Sequence, residues 1–143
     1  MRRLFLLTAL LMLSGFSSPH SAGKVFAQAG GEWTTLLDGS TLDGWNVIGD
    51  GTWTLVDDAV EGDGEAGFLV TAESFSDFQL TFEFWIGEDS NSGVFIRCSD
   101  PKQIGIDTSY EVNIADTIEN PDFRSGAIVR VVGPSQTVKT AGK

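Results

Sequence analysis

Asp-Gly pairs recur at 38–39, 43–44, 50–51 and 63–64, and the segments between and after them are short and rich in Val, Ile, Phe, Trp and Thr. Asp-Gly suits tight turns because glycine takes positive φ without a Cβ clash and aspartate bonds its own backbone. No segment carries a convincing helical pattern. Short β-rich runs at regular spacing, with turn chemistry between them, predict an all-β sandwich or barrel.

The expected strands are 52–56, 67–71, 78–86, 93–98, 110–114 and 126–132. Side chains alternate faces along a strand, so each run can be split into two sides. In 78–86 one side holds Phe78, Leu80, Phe82, Phe84 and Ile86, a core stripe, and the other Gln79, Thr81, Glu83 and Trp85. In 93–98 Val94, Ile96 and Cys98 oppose Gly93, Phe95 and Arg97. In 110–114 Tyr110, Val112 and Ile114 oppose Glu111 and Asn113.

If these three strands share a sheet, their outer faces gather Glu83, Trp85, Arg97, Glu111 and Asn113. A solvated face more often carries Lys, Thr and Ser. Two carboxylates, a guanidinium, an amide and an indole suit a groove for a polar ligand with apolar faces, such as a sugar. A structural ion-pair network on the sheet is the alternative.

The first 29 residues read differently. "MRR" precedes the apolar "LFLLTALLML" at 4–13, too short to span a bilayer, and Ala27-Gln28-Ala29 fits a small-residue cleavage site. Residues 1–29 are expected to be an export leader, giving a secreted or periplasmic domain over 30–143 with no membrane attachment after cleavage. Arg2, Arg3 and Lys24 fall in that leader. Six of the nine basic residues then remain against all twenty acidic ones, a formal charge of −14. Such a chain repels nucleic acid and anionic membranes. His20, the single histidine, also lies in the leader, so the expected domain has no Ser-His-Asp triad and no His-ligated zinc. Cys98 is the one cysteine, expected to be a buried, inert thiol with no disulfide partner.

Four blocks, in order, resemble the 3-keto-disaccharide hydrolase domain family. They are "WTTLLDGSTLDGW" (33–45), "TWTLVDDAVEG" (52–62), "SDFQLTFEFWIGEDSNSGVFIRC" (76–98), and "YEVNIAD" (110–116) with "SGAI" (125–128). The resemblance implies a concanavalin/laminin-G-like jelly-roll β-sandwich and cleavage of glycosides already oxidised to a ketone at sugar C3. Two departures stand out. Glu83-Phe84-Trp85 carries an indole where the family often has an arginine, and the family pattern runs on past the "AGK" at 141–143, so the domain is expected to be incomplete at its C-terminus.

A C3 ketone acidifies the C2–H. A base that removes this proton makes an enolate, the C1 oxygen leaves, and water adds to the enone. This needs a base, a cation near the enolate oxygen and an acid for the leaving group. The outer face offers Glu111 or Glu83 as base and acid, in either order, Arg97 as oxyanion partner and Trp85 as a platform for the pyranose. Asn113, Asp116 and Asn91 are candidate substrate contacts. Asp116 also suits a turn, and Asn91-Ser92-Gly93 reads most simply as a turn with Gly93 at positive φ. A divalent cation such as calcium, held by Glu, Asp and Asn oxygens, is a possible assistant to Arg97. The acidic stretches 57–65 and 88–89 lack EF-hand spacing, and surface solvation explains them more simply. The alternative function is a non-catalytic carbohydrate-binding module on the same sandwich.

Overall fold

The computed structural model describes residues 8–10, 25–29, 31–87 and 90–136. Eight strands form in the order β1 (Thr8–Leu10), β2 (Val25–Ala29), β3 (Glu32–Leu37), β4 (Trp45–Val56), β5 (Ala59–Thr71), β6 (Gln79–Phe82), β7 (Ser92–Ile96) and β8 (Tyr110–Ile114). One 3-10 turn, Pro121–Phe123, follows, and no α-helix occurs among the described residues. The strands make two antiparallel sheets, ordered β4-β5-β1-β7-β8 and β3-β2-β6.

The sheets pack face to face as a sandwich. Val94 and Ile114 of the larger sheet cluster with Ile86, and Leu36, Leu80, Phe82 and Phe84 close around them. A neighbouring cluster joins Leu69 and Val60 to Leu37, with Trp45, Trp53 and Val25 at its edge. Fully burying a side chain such as Ile86 or Leu69 contributes about 1.5–3 kcal/mol. The Trp45 indole N–H on β4 donates to the Leu36 carbonyl on β3 at 2.7 Å, a polar tie between the sheets. The expected core stripe is therefore present at Leu80, Phe82, Phe84 and Ile86, although β6 stops at Phe82. Cys98 is buried as expected, its Sγ 3.2 Å from the Asp100 carbonyl oxygen.

The long β4–β5 hairpin turns at Asp57-Asp58. Both residues have positive φ (46° and 65°), as a two-residue type I′ turn requires. The Asp-Gly pairs at 50–51 and 63–64, read as turns from sequence, instead face each other within the hairpin, with Gly51 opposite Gly64. A bulge between Gly49 and Gly51 presses the backbones together there. A Cβ on Gly67 would lie 2.7 Å from the Gly51 nitrogen, so the glycines serve close approach rather than reversal.

Other expectations are corrected. The run 126–132 does not form a strand. Ile128 bridges Val112 and then Val132, because the chain reverses at Arg130 (φ 62°). Tyr110, expected in the core, is 49% exposed at the first position of β8. Gly93 lies within β7 and not in a turn, and its φ is not positive. Within the expected leader, Thr8–Leu10 pairs with both β5 and β7, and Val25–Ala29 pairs with both β3 and β6; residues 1–7 and 11–24 lie outside the described residues.

Candidate functional site

β7 and β8 pair with Phe95 opposite Glu111, Gly93 opposite Asn113, and Val94 opposite Val112. Cross-strand partners share a face. Val94, Val112 and Ile114 thus turn toward the second sheet, as their packing on Ile86 requires. Gly93, Phe95, Glu111 and Asn113 turn the other way. Thr8 of β1 pairs with both Phe95 and Val70, which extends this outer face to Val70 and Phe68 on β5. The Phe68 and Phe95 rings meet edge-on at 5.5 Å. Beside them Val70 and Cys98 form a second apolar cluster with Ile48, Phe68 and Ile104.

Glu111 is a half-buried carboxylate on this aromatic face. Burial pushes its carboxyl above the ordinary glutamate value, and among the described residues no cation or donor opposes that push. A carboxyl raised by burial at the edge of an apolar face is a stronger proton acceptor than an ordinary glutamate.

The other candidates separate. β6 belongs to the three-stranded sheet and β7 and β8 to the five-stranded one, so Glu83 and Trp85 do not share a sheet with Arg97, Glu111 and Asn113. Glu83 is exposed just beyond β6, and Trp85 is half-buried between Phe84 and Ile86. The alternation read from 78–86 was sound, but alternation carries no information on which strands pair.

Arg97 follows β7 with φ 56°, a left-handed residue that ends the strand. Strand alternation therefore no longer sets its direction. Its guanidinium lies 3.7 Å from the carboxylate of Asp77, a fully exposed residue. Asn91 is exposed immediately before β7.

Asn113 and Asp116 are buried, Asn113 holding backbone directly and Asp116 through the Ser125 hydroxyl. The Asn113 amide donates to the Phe123 carbonyl, while its backbone exchanges hydrogen bonds with Ala127 and Gly126. Asp116 accepts from the Ser125 hydroxyl at 2.6 Å, and that hydroxyl accepts from the Ala115 N–H at 2.9 Å. Ser125 was not singled out from sequence, and no local signal marks it. We expect Asn113→Ala to destabilise the fold by about 1–3 kcal/mol, since the Phe123 carbonyl loses its donor. A thermal melt should show a drop of roughly 5–15 °C. An unchanged melting temperature would mean that the amide is no structural tie.

No three Asp, Glu, Cys or His side chains converge as a metal site among the described residues, and the pair 88–89 lies outside them. The stretch 57–65 is taken up by the hairpin turn and β5. The described carboxylates do not form a cation cage.

A family model for a 3-keto-alpha-glucoside-1,2-lyase-like domain matches residues 32–143. A curated 3-keto-disaccharide hydrolase from Bacteroides thetaiotaomicron is 30% identical over 117 residues, an alignment covering 66% of this chain and 40% of that protein. The chain thus spans well under half the length of the relative it matches. No solved structure matches it.

Proposed function

The chain belongs to the 3-keto-alpha-glucoside-1,2-lyase-like domain family, and on that premise we propose that it cleaves glycosides carrying a ketone at sugar C3. The observation that carries this reading is Glu111, a half-buried carboxylate raised by burial on an aromatic face. Glu111 removes the C2 proton, whose acidity comes from the adjacent ketone. The electron pair moves into the C2–C3 bond and the negative charge onto the C3 oxygen. That enolate re-forms the ketone as the C1–oxygen bond breaks, and the aglycone oxygen takes a proton. Water then adds across C1–C2, its oxygen at C1 and a proton at C2.

Arg97 is the cation nearest in sequence to this face, two residues beyond Phe95. Its exposed ion pair with Asp77 is of the kind worth about 0–1 kcal/mol, and its guanidinium is the proposed partner of the C3 oxyanion. Phe68, half-buried beside the buried Phe95, gives this face an apolar flank.

Export is part of the proposal, and N-terminal sequencing of the protein recovered from the culture medium or periplasm shows whether residues 1–29, which supply β1 and β2 in this fold, are removed. The activity is tested with paired substrates, a 3-keto glucoside and the same glucoside unoxidised, run in D2O. We expect aglycone release from the ketone alone, with deuterium entering at C2 faster than in an enzyme-free control. Equal cleavage of both substrates would sink the enolate mechanism, because the unoxidised sugar has no acidic C2–H.

A further inference from the structure

Glycine at position 93 has no conformational explanation. Its φ is not positive, it sits inside a paired strand, and glycine there is less favourable than alanine. The explanation is steric. A Cβ built on Gly93 would stand 2.6 Å from Glu111 Oε1, 2.9 Å from its Cγ and 3.2 Å from its Cδ. The first two separations are shorter than a real Cβ contact allows, and the third is tight. Glu111 pairs with Phe95, yet its side chain leans along the diagonal over the bare Cα of Gly93. The Phe95 ring is fixed edge-on by Phe68 and holds the place directly across.

We infer that Gly93 is a positioning residue whose missing side chain forms the notch that seats the Glu111 carboxylate against the sheet. The inference rests on the proposed role of Glu111 as base for its catalytic consequence, but the notch itself rests on geometry alone. A β-carbon at 93 would push the carboxylate outward from the aromatic face. Burial of the carboxyl would fall and its distance from a bound C2–H would change.

Gly93→Ala tests this in the full chain. With the carboxylate displaced by about 1 Å, we expect kcat on a 3-keto glucoside to fall about a hundredfold with a smaller change in KM. Carbon-13 NMR titration, with the Glu111 signal assigned by its loss in Glu111→Gln, should show the Glu111 midpoint falling toward the ordinary glutamate value. A wild-type titration and wild-type kcat in folded Gly93→Ala would overturn the inference. If the chain turns over no 3-keto glycoside at all, the titration still reads the notch, so the two readings fail separately. Should Gly93→Ala not fold, the double variant Gly93→Ala/Glu111→Ala decides. Recovery of a cooperative melt supports the notch, because the clashing side chain is gone. Failure of both variants to fold shows that Gly93 is required by something other than Glu111.

Discussion

Glu111→Gln is expected to lower kcat on a 3-keto glucoside by about 10²–10⁴-fold, the span a positioned general base contributes. That corresponds to ~3–5 kcal/mol of barrier. Glutamine keeps the shape and loses the proton acceptor, so KM should change little. The same substitution should stabilise the protein at pH 7. Burial raises the Glu111 carboxyl, which means the folded state favours the protonated form. Stability from this group is therefore fully present below the unfolded pKa and is lost as pH rises through the folded one. At neutral pH the wild type carries a half-buried charge that glutamine does not. The stability gain of Glu111→Gln should vanish as pH falls below the ordinary carboxylate range, where Glu111 is protonated in both states. Melting curves of both proteins across pH, beside kcat at pH 7, test the pair of effects. An active Glu111→Gln would remove Glu111 from the chemistry. A melting difference that grows in acid would show that burial does not set its charge.

A chain beginning at residue 30 is expected to lose cooperative unfolding. Residues 1–29 supply the middle strand of each sheet. β2 pairs with β3 over five positions and with β6 over four, and its Ala27 is 1% exposed. β1 joins β5 to β7, so without it the larger sheet parts into a β4–β5 hairpin and a β7–β8 pair. Isolated two-stranded units are marginal in water. Any surviving transition should sit at least about 10 °C lower, as ~2 kcal/mol of lost packing dictates. Circular dichroism melts of 1–143 and 30–143 compare them directly. Equal melts would show that β1 and β2 are dispensable, and that cleavage after Ala29 leaves the fold intact. Unequal melts would mean that a cut after Ala29 and this fold exclude one another.

Much of the site was legible one strand at a time. The stretch "YEVNI" gave β8 its bounds, and alternation put Glu111 and Asn113 on one face and Val112 and Ile114 on the other. The same rule separated Val94 from Phe95 correctly. It failed at Arg97 and in 126–132 because single residues there, Arg97 and Arg130, adopt left-handed φ that residue type does not announce. It failed at Gly93 for another reason. A glycine in a turn-like "NSG" string reads as a reversal, whereas here its lack of a side chain matters only against Glu111, eighteen positions on.

The sequence by itself determined the all-β class, the facing of β7 and β8, the buried thiol at Cys98 and the family signature over the four blocks. These follow from local chemistry: period-two alternation, β-branched and aromatic content, and turn-forming pairs. Only the tertiary structure decided that Glu83 and Trp85 lie off the sheet that carries Glu111, that Asn113 holds backbone and Asp116 the Ser125 hydroxyl, and that Gly93 leaves room for a carboxylate. Each depends on which strands meet and in what register. That choice is made by burial and backbone pairing between segments distant in sequence, and a strand's own pattern carries no record of it.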